Sequence, residues 1–183
     1  MISASTLNSE LINKIAQDFA QATSLAVVVV NIHGDEISEL FNFTPFCQLM
    51  RQHPQHSSRC RMSDRCGGLE ASKTDALCIY RCHAGLTDFS IPLVIAGHLV
   101  GFVLCGQVRL SNDIELVDIL NVDDRWQDDP ALVQAFRDVP EMDYSRVIAS
   151  ADLLKLIVEN CLKKQLNFVV IKDNPPQNDP AQS

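Results

Sequence analysis

The sequence contains no apolar run of the roughly 20 residues that a membrane-spanning helix needs. Its longest apolar run, LAVVVV at 25–30, has the length of a strand. The N-terminus lacks the basic and then apolar segments of a secretory signal. Basic residues are also few, since 15 Lys and Arg stand against 23 Asp and Glu and give a net charge of −8. An acidic surface repels phosphate backbones, so we expect a cytoplasmic domain that alone binds neither nucleic acid nor membrane.

The sequence also lacks the short motifs that mark common catalytic centres. It has no G-x-S-x-G nucleophile turn, no glycine-rich phosphate loop and no H-E-x-x-H zinc motif. Cys82 and His83 are a candidate nucleophile and base, but neighbouring residues of a strand point to opposite faces. The pair could therefore work only if a turn intervenes. We expect a binding domain and not an enzyme.

Hydrophobic patterning predicts both helices and strands, in a chain whose 183 residues suit one domain. The predicted helices cover 7–22 (with a cap at Ser5 or Thr6), 45–53, 113–120, 129–139 and 143–172. The predicted strands cover 25–32, 36–41, 77–82, 87–95 and 99–110, and the first two and the last two should each form a hairpin.

Two segments are harder to assign. The polar segment 57–73 is interrupted by Gly67 and Gly68, so it predicts one or two short helices or an ordered loop. Pro92 lies inside an apolar run and has no N–H for a ladder, so its strand should run at a sheet edge or carry a bulge.

This order of elements predicts an α+β fold, with an antiparallel sheet flanked by helices and a long C-terminal exit helix. The folded domain should span 1–171. The tail 172–183 is polar and rich in proline, so we expect a disordered linker there.

The predicted exit helix carries an apolar stripe whose members alternate by four and three residues, the spacing of a coiled-coil seam. Its members are Val147, Ala151, Leu154, Val158, Cys161, Gln165 and Phe168. The stripe predicts a homodimer through 147–168, with Gln165 as a polar residue that could fix the register. The alternative is that the helix docks on the domain's own sheet.

Four of the seven cysteines fall within 23 residues, and a histidine follows the last of them. Cys60, Cys66, Cys78, Cys82 and His83 offer enough thiols and imidazole for a zinc site or an iron–sulfur cluster, and Cys47 could fold back to join them. Their spacings are not those of a zinc finger. Two alternatives stay open, because free cysteines often pack as small hydrophobic residues and a thiol pair can serve as a redox switch.

Four stretches give the chain a resemblance to a known family. They are FCQLMRQ at 46–52, RCRMSD at 59–64, CHAGLTDFSIPL at 82–93 and GFVLCGQV at 101–108. With them the sequence resembles the PocR sensory domain over about residues 7–170. The family's cysteine pattern favours a metal site built on Cys47, Cys60 and Cys82, with Cys66 or His83 as the fourth ligand.

The resemblance implies a PAS-like domain that senses a small diol, 1,2-propanediol above all. It also implies that the domain signals to a C-terminal helix-turn-helix pair of the AraC class, which this chain does not contain. A sensor of metal or redox state that uses the cysteine cluster is the alternative function.

A diol offers hydroxyl groups that both donate and accept hydrogen bonds, and it needs side chains that do the same. Within this expectation the candidate ligand-binding residues are His83, Asp88, Phe89, Ser90 and Gln107. His83 could instead hold its own loop, and Asp88 could pair with Arg109 or a backbone N–H, since a buried carboxylate needs a partner.

Overall fold

The computed structural model describes residues 9–73, 77–95 and 97–162. Its helices are α1 Ser9–Thr23, α2 Pro45–Gln52, α3 Ser57–Lys73, α4 Pro130–Arg137 and α5 Tyr144–Ile157. Its strands are β1 Ala26–Asn31, β2 Cys78–Arg81, β3 Thr87–Ile95, β4 His98–Leu110 and β5 Glu141–Met142. A 3-10 turn at Arg125–Asp128 precedes α4, and a π-helical turn at Val158–Leu162 continues α5. The α+β prediction is confirmed.

The sheet has the strand order β1-β4-β3-β2, and these four strands are antiparallel. The short β5 runs parallel to the end of β4. The hairpin of β3 and β4 was predicted correctly, and so was the position of Pro92. The ladder with β2 reaches only to Ser90, so Pro92 lies past it, next to a register shift between Leu93 and Val94.

Helices cover both faces of the sheet. On one face, α1 and α5 bury Ile12, Phe19, Val147 and Leu154 against alternate residues of the strands. On the other face lie α2 and α3, and α2 also contacts α4. Among the described residues, no helix is long and apolar enough to cross a membrane.

Segment 57–73 forms the single helix α3, although its two glycines suggested a break. A Cβ at Gly67 would lie 2.3 Å from the ring of Tyr80, and a Cβ at Gly68 would lie 2.2 Å from the ring of Phe102. The absent side chains let the helix backbone lie directly on these rings. This close packing offsets the helix-propensity cost of about 1 kcal/mol per glycine.

The predicted N-terminal hairpin is only partly formed. Segment 36–41 meets β1 through two isolated bridges, Val30 with Glu36 and Val27 with Phe41, and not through a continuous ladder. Between them the hydroxyl of Ser38 accepts the N–H of Val29 at 2.8 Å. A side chain there takes the place of a backbone acceptor, which interrupts the strand. The regular partner of β1 is β4.

The helix predicted at 113–120 is wrong. This segment runs extended beside β2, where the N–H of Arg81 donates to the carbonyl of Val117 and the N–H of Ile119 donates to the carbonyl of Arg81. The free edge of β2 supplies backbone partners that replace those of a helix.

The exit helix is described to residue 162, so the last part of the predicted seam and the linker at 172–183 lie outside the described residues. Val147, Ala151, Leu154 and Val158 are at most 1% exposed and belong to the core on the face of the sheet that α1 also covers. This half of the predicted seam therefore docks within the domain, as the alternative interpretation held.

Candidate functional site

Two small cavities lie side by side between the sheet and the helices α2 and α3. Their volumes are about 30 and 20 Å³, and they share four wall residues, Arg51, Asp64, Asp88 and Gln107. An open cleft of about 640 Å³ lies outside them, and Arg51 lines that cleft too. The inner cavities are the better candidate site, because buried polar groups of both strands and helices converge on them.

A β-bulge builds the polar wall of these cavities. Asp88 on β3 is opposite Gly106 on β4, and Thr87 is opposite Val108, so Gln107 is the extra residue of the bulge, with a φ of 63°. The N–H of Gln107 donates to Oδ1 of Asp88 at 2.7 Å. A Cβ at position 106 would lie 2.6 Å from that same oxygen. Glycine there lets the Asp88 carboxyl lie directly over the opposing strand.

The side chain of Gln107 also anchors the start of α2. Its Oε1 accepts the backbone N–H of Thr44 at 2.9 Å and lies 3.2 Å from the Thr44 hydroxyl. Thr44 in turn caps α2 by accepting the N–H of Cys47. The amide nitrogen of Gln107 has no hydrogen-bond partner among the described residues, so it is a donor that remains available in the cavity wall.

The carboxyl of Asp88 is strongly perturbed by its surroundings. Burial raises its pKa from 3.8 to about 7, although the N–H of Gln107 partly opposes the rise. Asp88 can therefore accept or donate a hydrogen bond near neutral pH. The backbone N–H was one of the partners that the sequence predicted for it, whereas Arg109 instead pairs with Glu141 at 3.0 Å.

An ion pair closes the opposite wall. A guanidinium nitrogen of Arg51 lies 2.6 Å from Oδ2 of Asp64 and another lies 3.0 Å from Oε1 of Glu36. The guanidinium also lies over the ring of Phe43, 5.1 Å from its centroid. Burial raises the pKa of Asp64, and Arg51 opposes that rise. None of these wall residues was among the predicted ligand-binding residues.

The three cysteines favoured as metal ligands do line one cavity, the larger one, together with His83. They are Cys47, Cys60 and Cys82. Cys66 does not line it. The described residues contain no group of three or more His, Cys, Asp and Glu side chains arranged to hold a metal ion. The metal site stays a prediction, with its three thiols brought to the same cavity.

His83 contacts Cys60 and not its neighbour in sequence. Nε2 of His83 lies 3.3 Å from Sγ of Cys60. Burial lowers the pKa of His83 to about 4 and raises that of Cys60 to about 12. Both groups are therefore neutral at physiological pH, which is unlike the thiolate and imidazolium of a catalytic pair. A turn does follow β2 at Cys82, and it brings both Cys82 and His83 to the cavity.

The remaining two predicted ligand-binding residues do not line either inner cavity. The hydroxyl of Ser90 donates to the carbonyl of Gly67 at 2.6 Å, so it fastens α3 to the sheet. Phe89 is fully buried in the core on the opposite face. Strand alternation explains the placement of Phe89, because successive residues of β3 point to opposite faces.

Two comparisons with known proteins found a match to this chain. The family described as the sensory domain found in PocR matches residues 5–166. The regulatory protein PocR of Salmonella typhimurium strain LT2 is 90% identical over 179 residues, which cover 98% of this chain. The chain spans 59% of the length of that curated relative. No solved structure matches. On the match over nearly the whole described fold, the chain belongs to the family of PocR sensory domains.

Proposed function

We propose that this domain binds a small vicinal diol, 1,2-propanediol above all, in the inner cavities, and is a cytoplasmic sensor and not an enzyme. The observation that carries the proposal is the bulge at Gln107. It brings a carboxyl group and a free amide donor to one cavity wall, opposite apolar walls formed by Phe46, Met50 and Ala84. Carbon atoms of a diol would contact the apolar walls, and its hydroxyls would bond Asp88 and Gln107.

The size of the ligand limits its affinity. A ceiling of about 1.5 kcal/mol per heavy atom gives five heavy atoms at most about 7–8 kcal/mol of binding free energy. The dissociation constant should therefore be micromolar or weaker. The cavities have room for only a few water molecules, since one water needs about 10–15 Å³ of such space. Binding must consequently move a wall outward.

A short path of backbone, strand-pairing and ion-pair contacts leads from the site to the exit helix. Gln107 is two residues from Arg109, which pairs with Glu141 of β5, and β5 runs directly into α5. Arg109 also donates to the carbonyls of Val139 and Arg137. We propose that a ligand which alters the bulge shifts this strand pair and thereby α5, toward a C-terminal AraC-class helix-turn-helix region. A ligand can shift it only by its differential affinity for the two states.

A homodimer through the exit helix belongs to the same proposal, but with different contact residues from those predicted. The seam residues of α5 are buried within the domain, whereas Leu153 and Leu156 are 50% and 58% exposed. They are three residues apart, so they lie on one side of α5. We propose that this exposed side carries the contact with a second copy.

The test of ligand binding is a calorimetric and thermal-shift series with 1,2-propanediol, ethylene glycol, glycerol and 1-propanol. We expect heat and stabilisation from the vicinal diols and a smaller response to 1-propanol. Asp88→Ala should abolish the response, and Asp152→Asn, which removes an exposed acid of α5, should preserve it. Equal and negligible responses to all four compounds would reject the diol sensor.

A metal or redox sensor is the second candidate, since Cys47, Cys60 and Cys82 line one cavity with His83. Bound zinc or an iron–sulfur cluster would hold thiolates, and its loss would lower stability. Metal analysis of protein purified under reducing conditions, with the melting temperature of Cys60→Ser, tests it. Cys78→Ser is the control, because Cys78 does not line that cavity. Absence of metal together with an unchanged melting temperature for Cys60→Ser would reject the metal site. An unchanged count of free thiols after mild oxidation would reject the redox switch.

A further inference from the structure

One side chain, Arg51, separates the open outer cleft from both inner cavities, because it lines all three spaces. It reaches this position from the last turn of α2. Its side chain is 14% exposed, and it is held from three directions by Asp64, Glu36 and the ring of Phe43. The ring of Phe43, which lines the outer cleft and one inner cavity, forms part of the same boundary.

The innermost partner of Arg51 is a second carboxylate of the cavity wall. The side chain of Asp64 is 8% exposed, and it lines both inner cavities, as Asp88 does. A buried carboxylate that loses its cation is strongly destabilised unless another donor replaces it. The guanidinium can therefore leave Asp64 readily only when a new donor arrives in the cavity.

The partners of Arg51 differ in their exposure. Glu36 is 39% exposed and borders the outer cleft, whereas Asp64 is buried at the inner wall. A rotation of the side chain toward Glu36 and the cleft keeps one ion pair and opens the passage inward. No comparable second cation faces Asp64 among the described residues, since its one salt-bridge partner there is Arg51.

We propose that Arg51 is the gate of the ligand site and that Asp64 is its exchangeable partner. A diol enters through the outer cleft, one of its hydroxyls takes the place of the guanidinium on Asp64, and the other donates to Asp88. Arg51 then turns outward to Glu36. This inference rests on the proposed diol binding and adds to it a path, a second acceptor and a reason for preferring two hydroxyls. A monohydric alcohol supplies a hydroxyl to only one of the two carboxylates.

The gate makes a prediction that differs from that of an ordinary ligand contact. If Arg51 competes with the ligand for Asp64, its removal strengthens binding even though it weakens the fold. If the competent state is populated at about one part in ten, Arg51→Gln lowers the dissociation constant of 1,2-propanediol on the order of tenfold. An arginine that donated to the ligand would give the opposite sign.

The test measures affinity by calorimetry and exchange rates by NMR line shapes, with ¹³C-labelled 1,2-propanediol as the probe. Arg51→Gln should bind more tightly and exchange faster. Arg51→Lys keeps the charge but cannot hold two carboxylates with one fork, so it should act in the same direction and to a smaller extent. This second variant keeps the test decisive if the first does not fold. Arg65→Gln, which removes an exposed charge of α3, should resemble the parent.

A fourth variant tests the path. Leu40 lines the outer cleft and is 39% exposed, so Leu40→Trp should narrow the cleft without disturbing the core. We expect it to slow association and dissociation by the same factor and to leave the dissociation constant unchanged. Unchanged rates in Leu40→Trp, or weaker binding in both Arg51 variants, would overturn the gate while diol binding by the parent stood. Absence of binding to the parent would overturn the proposed function and the gate with it.

Discussion

Protonation of Asp88 should make the stability of the domain depend on pH, and Asp88→Asn should remove that dependence. The folded-state pKa of this carboxyl is raised to about 7 by burial, against an ordinary value of 3.8. The folded state therefore binds a proton more tightly than the unfolded state does. The stabilisation is fully present below about pH 4 and is lost as the pH rises through about 7.

The size of the effect follows from the shift. A difference of about three pKa units corresponds to at most about 4 kcal/mol of unfolding free energy between pH 4 and pH 8. His83 acts in the opposite direction over part of this range, because its pKa is lowered from 6.5 to about 4 by burial. Its contribution rises with pH between those two values. In the parent, the contributions of Asp88 and His83 to the pH dependence of the unfolding free energy therefore partly cancel. The contribution of Asp88 is obtained from the difference in unfolding free energy between the parent and Asp88→Asn.

The assay is urea unfolding of the parent and Asp88→Asn at half-unit steps from pH 4.5 to pH 8. Asparagine keeps an oxygen that accepts the N–H of Gln107 but carries no charge. The variant should match the parent at the acid end and become progressively more stable than it toward pH 8. Asp152→Asn, at an exposed position of α5, serves as the control for the loss of one carboxyl. A difference between Asp88→Asn and the parent that does not change with pH would refute the reasoning, since the Asp88 carboxyl would then titrate alike in both states.

Three further predictions follow from packing, hydrogen bonding and exposure. Gly68→Ala should lower the unfolding free energy by about 1–3 kcal/mol, because its Cβ would overlap the ring of Phe102. Met62→Ala, on the exposed side of the same helix, is the control and should leave the unfolding free energy unchanged. Equal denaturation midpoints for the two variants would contradict this prediction. Gln107→Ala should weaken diol binding in calorimetry and speed amide exchange in the first turn of α2, and unchanged exchange there would show that the amide is not its anchor. The double variant Leu153→Glu and Leu156→Glu should keep the melting temperature of the parent and sediment as a monomer. A parent protein that sediments as a monomer at high concentration would contradict the proposed dimer.

The contacts that sequence reasoning anticipated are those carried by short-range structure. Asp88 and Gln107 were placed on facing strands of one hairpin, and a tight turn fixes which residues of a hairpin face each other. The helix predicted at 45–53 was anticipated correctly, and its start, where Thr44 caps the helix and Pro45 follows, is a local signal. Both expectations required only a few neighbouring residues.

The missed features depend on surfaces that meet only in the folded chain. Gly67 and Gly68 indicated a break in the helix. The helix continues because both glycines pack against the rings of Tyr80 and Phe102, and the local sequence pattern does not indicate those contacts. The wall formed by Arg51 and Asp64 joins two helices, α2 and α3, and the sequence pattern did not single out either residue. The bulge itself could have been suspected from Gly106, because a glycine inside an apolar strand often marks a bulge or a close approach of another backbone.

The position of the bulge offers the proposed diol a strained element of the fold on which to act. A residue other than glycine in the left-handed region, as Gln107 is, costs on the order of 1–2 kcal/mol. The observed bulge is therefore strained. On backbone energy alone, a form in which Gln107 leaves the left-handed region is favoured by those roughly 1–2 kcal/mol. Contacts to Thr44 and Asp88 hold the strained form in place. A ligand that bonds the Asp88 carboxyl acts on one of these contacts, and it shifts the balance between the two forms only by the difference in its affinity for them.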